Sequence, residues 1–114
     1  MAHPRFHPVC AVDDLWAGEM QPVSAGGTDV LLLRTDDGAV RAIQRICPHQ
    51  DQPLDNGDFD GCTLTCGAHL WEFDVRTGRS INPDDALLAM YPVEERDGTI
   101  YVAVDGIRPF HSHA

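Results

Sequence analysis

Apolar residues in this chain come in short runs separated by turn signals. Val30–Leu33, Val40–Ile46, Ala89–Val93 and Ile100–Val104 each read as one strand, and the pairs Asp37–Gly38, Thr77–Gly78 and Asp97–Gly98 punctuate the stretches between them. In the last run Ile100, Val102 and Val104 alternate with Tyr101, Ala103 and Asp105, the period-two pattern of a strand with one face in a core. Asp13–Trp16 reads as one helical turn capped by Asp13. The pattern predicts an all-β domain without internal repeat, linker or low-complexity segment, ending in a loose tail from Pro109 to Ala114.

The residues with the most distinctive chemistry lie mid-chain, flanked on both sides by predicted strands. Cys47 and His49 are one residue apart, Cys66 and His69 two apart, and sixteen residues separate the pairs. Two thiolates on one iron and two neutral imidazoles on the other, with each loop giving one of each, is the ligand split of a mixed two-iron, two-sulfide cluster. With both irons ferric such a set carries about zero formal charge, against about minus two for four thiolates, so an added electron is easier to accept. That electron belongs on the imidazole-bound iron, which makes His49 and His69 conduits as well as ligands. Two Cys and two His also suit a structural zinc ion. Nucleic-acid-binding zinc fingers, however, usually pair Cys with Cys and His with His and carry basic helices, features this chain lacks.

The surroundings of the four ligands carry a family signature. CPHQ at Cys47–Gln50 is followed by Leu54 and Gly57, and CGAHLWEFD at Cys66–Asp74 by Thr77 and Gly78. These motifs resemble those of the Rieske ferredoxins, above all the ferredoxins of multicomponent toluene, alkene and isoprene monooxygenases. The resemblance extends through DDLWAGEM at Asp13–Met20 and INPDDALLAMYPVE at Ile81–Glu94. It implies a single Rieske domain over 1–114, with an antiparallel β-sandwich or barrel base and a cluster-binding subdomain inserted at about 47–81. It further implies one Rieske-type 2Fe-2S cluster on Cys47, His49, Cys66 and His69. The implied role is a one-electron carrier between a flavin-containing reductase and a diiron hydroxylase; the ferredoxin of a ring-hydroxylating dioxygenase is the near alternative. Leu70 departs from the Gly often found after the second His and, with Trp71, makes the cluster tip more apolar. High-potential Rieske proteins resemble one another in a Ser near the second loop and a disulfide between the loops. Neither has a counterpart beside His49 or His69, which implies a low potential.

Other residues have plainer readings beside functional ones. Pro48 stiffens the first loop and Gly67 lets backbone amides approach the cluster, with Pro83 in a similar covering role. Pro48, Gln50, Leu70 and Trp71 are candidates for partner docking, although Trp71 is equally well read as a buried anchor. Asp74, Thr77 and Gly78 read as a turn, and Asp84 and Asp85 as a solvated turn rather than a catalytic carboxylate pair. Cys10 and Cys62 are expected to be free thiols packed as small hydrophobes. His3, His7, His111 and His113 receive no role.

At 114 residues and 43% hydrophobic the chain fits one domain. That leaves no room for a separate iron-bearing catalytic domain, so a carrier rather than an enzyme is expected. A net charge of −10, with eight scattered basic residues, all Arg, argues against nucleic acid; the acidity serves either solubility or steering toward basic partners. With neither a secretory pattern nor a membrane-spanning run, a cytoplasmic, monomeric protein is expected. The inserted subdomain is expected to have little core of its own, leaving metal binding to supply much of its folding energy.

Overall fold

The computed structural model describes residues 5–46, 53–66, 72–82 and 87–107, for Ile81 and Asn82 the backbone alone. Its architecture follows from the apolar run Val30–Leu33, every member of which is fully buried. Side chains alternate between the faces of a strand. Val30 and Leu32 therefore enter one core with Tyr91, Ile100 and Val102, while Leu31 and Leu33 enter another with Leu54, Leu64, Phe73 and Val75. A strand buried on both faces needs a layer on each side of its sheet.

Among the described residues three antiparallel sheets supply those layers. The middle one has the order β2-β3-β4-β9, formed by Met20–Ala25, Thr28–Arg34, Val40–Gln44 and Met90–Tyr91. On one side lies β1-β11-β10, from Phe6–Ala11, Thr99–Ala103 and Val93–Arg96; this pair of sheets is the expected base sandwich. On the other lies β5-β6-β7-β8, from Asp58–Phe59, Thr63–Thr65, Glu72–Asp74 and Arg79–Asn82. Among the described residues helical structure is limited to two 3-10 turns, Val12–Asp14 and Leu54–Asn56.

Several expectations are corrected in detail. The run Ala89–Val93 is two strands: the chain breaks at Pro92, so that β9 pairs with β4 and β10 with β11. Val40–Ile46 ends as a strand at Gln44, and Ile46 instead bridges to Pro53. The turn near Asp13 starts one residue earlier, with Ala11 at its N-cap and no side-chain capping bond. Its position is held by Arg34, whose guanidinium donates to the carbonyls of Leu15 (2.7 Å), Gly38 (2.8 Å) and Val12 (3.3 Å). β1 and β2, which the apolar pattern did not reveal, contain Pro8 and Pro22. Both are edge strands, where proline's missing amide is tolerated. The outer sheet has its core in common with the middle one: Leu64, Phe73 and Val75 pack with Leu31, Leu33 and Ile43. Its packing thus comes from β3 and β4, a contribution invisible to any reading of residues 47–81 alone.

Candidate metal centre

Two chain segments between paired backbone positions contain the four sequence-predicted ligands. The first lies between Ile46 and Pro53, which form an antiparallel bridge, so residues 47–52 span a closed neck. The neck is reinforced by the Leu54 amide, which donates to the Arg45 carbonyl at 2.6 Å, and by an ion pair from Arg45 Nε to Asp55 Oδ1 at 3.0 Å. That carboxylate raises the Arg45 pKa above its ordinary value. The second segment, 66–71, runs between Thr65 of β6 and Glu72 of β7, which are paired residues of the outer sheet. Each neck encloses six residues holding one Cys and one His.

Cys66 is the predicted ligand among the described residues. It is 1% exposed, a free thiol, and shares its apolar cluster with Leu54, the first residue of the turn that follows the other segment. The ends of the two segments thus converge on one buried core. Cys47, His49 and His69 lie outside the described residues, as do the docking candidates Pro48, Gln50, Leu70 and Trp71 and the residues Gly67, Pro83, Asp84 and Asp85. A buried free thiol in an aliphatic setting, in a donor set of two Cys and two His, fits a cluster whose oxidised form is close to neutral. Among the described residues no group of three or more His, Cys, Asp or Glu gathers as a separate metal site.

The remaining candidates settle into structural roles. Asp74, Thr77 and Gly78 make the β7–β8 turn, where the Gly78 amide donates to the Asp74 carbonyl at 2.8 Å and the Arg76 amide to Asp74 Oδ1 at 2.9 Å. Cys10 and Cys62 are half-buried free thiols. Burial pushes the Cys10 thiol pKa up, Asp14 adds to the rise, and Arg34 opposes it. The His7 ring packs over Gly26. Gln44 was missed: it is a buried amide in an apolar strand, three residues before Cys47, and that polar intrusion was the available signal.

Three layers of antiparallel sheet, with one segment of the chain leaving at the Ile46–Pro53 bridge and another between Thr65 and Glu72, each holding one Cys and one His in sequence, define the class as a β domain with two candidate ligand segments. The chain belongs to the Rieske [2Fe-2S] domain family, whose pattern matches residues 5–92. It carries one Rieske-type [2Fe-2S] cluster and is an electron carrier rather than a catalyst. It is 40% identical over 103 residues to the ferredoxin component of the alkene monooxygenase system of Xanthobacter autotrophicus, covering 89% of this chain and 83% of that protein. The ferredoxin of Sphingomonas yanoikuyae B1 superposes with a TM-score of 0.79 at 26% identity, covering 87% of this chain and 98% of that one. A chain in the solved complex of reduced oxygenase and oxidised ferredoxin of carbazole 1,9a-dioxygenase also gives 0.79, at 29% identity, covering 89% of this chain and 94% of that one. Among the described residues no helix is long and apolar enough to cross a membrane.

Proposed function

We propose that Cys47, His49, Cys66 and His69 hold the cluster, within a cluster-binding subdomain at about 47–81 of a single domain. In this reading the protein passes single electrons from a flavin-containing reductase to the diiron hydroxylase of a multicomponent monooxygenase acting on aromatic or alkene hydrocarbons. The observation that carries the ligand assignment is the pair of six-residue segments, each closed at its neck and each holding one Cys and one His. The bound cluster supplies one-electron chemistry at a potential raised by its imidazole ligands. The protein contributes the rest. The neck at Ile46–Pro53 and the Thr65–Glu72 pair fix where each segment leaves the fold, and the apolar packing around Cys66 excludes water from the thiolate side.

The choice of a monooxygenase partner rests on the likeness to the alkene monooxygenase ferredoxin. A dioxygenase oxygenase is the second reading, favoured by the likeness to the carbazole system. Pro48, Gln50, Leu70 and Trp71 are proposed as the docking surface beside the ligands. A monomer working in the cytoplasm accords with the free thiols at Cys10 and Cys62.

The test is the visible absorption and reduced-state electron paramagnetic resonance spectrum of protein purified without added metal, with iron, sulfide and zinc assayed. Two irons and two sulfides per chain, with the low average g value of mixed ligation, are expected, and Cys66→Ser should abolish the signal. One zinc per chain without colour would sink the assignment. Turnover with purified diiron hydroxylase against a ring-hydroxylating oxygenase then separates the two partner readings.

A further inference from the structure

Gln44 is 1% exposed at the end of β4. Its side-chain amide joins two crossings of the chain between the middle and outer sheets. Nε2 donates to the carbonyl of Ile46 at 2.8 Å, and Oε1 accepts from the amide of Ala89 at 2.8 Å. The Gln44 backbone amide also donates to the Ala89 carbonyl at 3.0 Å. Ile46 is the last residue before the first ligand segment. Ala89 lies on the segment that returns from the outer sheet to β9.

The side chain is chosen by its chemistry. One crossing presents a carbonyl and the other an N–H, so a single group must offer both a donor and an acceptor, which a primary amide does. A carboxylate lacks the donor, and an aliphatic side chain lacks both and would leave buried backbone groups unpaired. A planar peptide links Ile46 to Cys47, so restraining the Ile46 carbonyl restrains the backbone that offers the Cys47 thiolate.

Building on the ligand assignment above, we propose that Gln44 is a positioning residue for the cluster: by clamping Ile46 to Ala89 it holds the first ligand segment in the geometry that sets the potential and spectrum of the centre. Among the described residues the side chain of Gln44 acts through the backbone at Ile46 and Ala89. Outer hydrogen bonds of this kind tune metal centres that they do not contact.

The test compares the full-length, cluster-loaded wild type with Gln44→Leu, Gln44→Glu and Ile100→Val. The last removes a methyl from the base core, away from the ligand segments, and controls for lost stability. For each, the reduced-state g values, the midpoint potential and the rate of iron release to a chelator are measured. Gln44→Glu should shift the g values and the potential and release iron about tenfold faster, the factor set by one buried hydrogen bond left unmade, and Gln44→Leu, which loses both bonds, should shift them at least as far. Ile100→Val should keep the wild-type spectrum and potential. If Gln44→Leu does not fold, Gln44→Glu, which retains the acceptor for Ala89, is read in its place. Wild-type g values and potential in the folded Gln44 variants overturn the positioning role while leaving the ligand assignment intact. A wild type without a 2Fe-2S signal overturns both.

Discussion

The backbone amide of Asp36 donates to the carbonyl of Gly61 across 2.9 Å, joining the β3–β4 turn of the middle sheet to the β5–β6 turn of the outer one. The approach is so close that a Cβ on Gly61 would lie 3.1 Å from the Asp36 Cβ, and Gly61 holds a φ of +106°, where side chains are strained. Gly61→Ala is expected to lose about 2–4 kcal/mol through strain and overpacking together. Gly38, at φ +90° with open space around it, reports strain alone. Gly38→Ala should lose about 1–2 kcal/mol. Urea denaturation of both variants checks this, and equal losses would show that the contact between the turns contributes nothing.

Phe73 is the largest fully buried side chain among the described residues and sits in β7, in the core shared by the outer and middle sheets. Phe73→Ala should cost about 3–5 kcal/mol. Amide exchange should quicken through β5–β8 while Ile100 and Val102, in the other core, keep their protection. The same shared core governs metal removal. After chelation of the iron the Leu64 and Phe73 amides should stay protected, because β3 and β4 still cover them. Complete loss of protection in β6 and β7 would instead assign the folding energy of that sheet to the metal.

How much of this was legible before the structure depended on where each signal resides. Cys47, His49, Cys66 and His69 stand out because their chemistry is local to short motifs, and β3 and β11 because four and three aliphatic residues respectively sit close together. β1 and β2 carry prolines at Pro8 and Pro22, and only their place at sheet edges makes those residues compatible with strands. β5–β8 are two to four residues long and too short for any period to register. The break at Pro92 was readable from proline's missing amide, yet which sheet each half joins depends on partners far away in sequence. Gln44 was passed over inside an apolar run, because one of its two backbone partners, Ala89, lies 45 residues away in sequence.

Two turn carboxylates should shape the acid response. The Asp60 side chain accepts from the amides of Thr63 (2.7 Å) and Cys62 (3.0 Å), and these bonds lower its pKa. Asp37 is lowered by the Thr35 hydroxyl first and by the Ala39 amide second. A depressed folded-state value means that the unfolded chain binds protons first on acidification. The stabilising contribution is therefore present above the ordinary Asp value of 3.8 and is lost as pH falls through the lower folded values. Asp60→Asn should lower the urea midpoint at neutral pH and flatten its decline below about pH 4. A decline as steep as in the wild type would show that Asp60 is not among the groups responsible.

Tyr91 should behave in the opposite sense. Its side chain is buried in the base core, and its hydroxyl has no hydrogen-bond partner among the described residues. Burial alone raises the phenol pKa above 10.0. Leaving a buried hydroxyl unpaired costs free energy that phenylalanine avoids, so Tyr91→Phe should be neutral or stabilising by up to about 1 kcal/mol near pH 7. The pH dependence follows from the raised value. The folded state holds the phenolic proton longer than the unfolded chain, so this contribution is complete below pH 10 and lost as pH rises through the folded value. Urea midpoints of the two proteins should therefore diverge further above pH 10, with the phenylalanine variant falling less. A loss of more than about 1 kcal/mol at pH 7 would instead show that the hydroxyl makes a bond the core depends on.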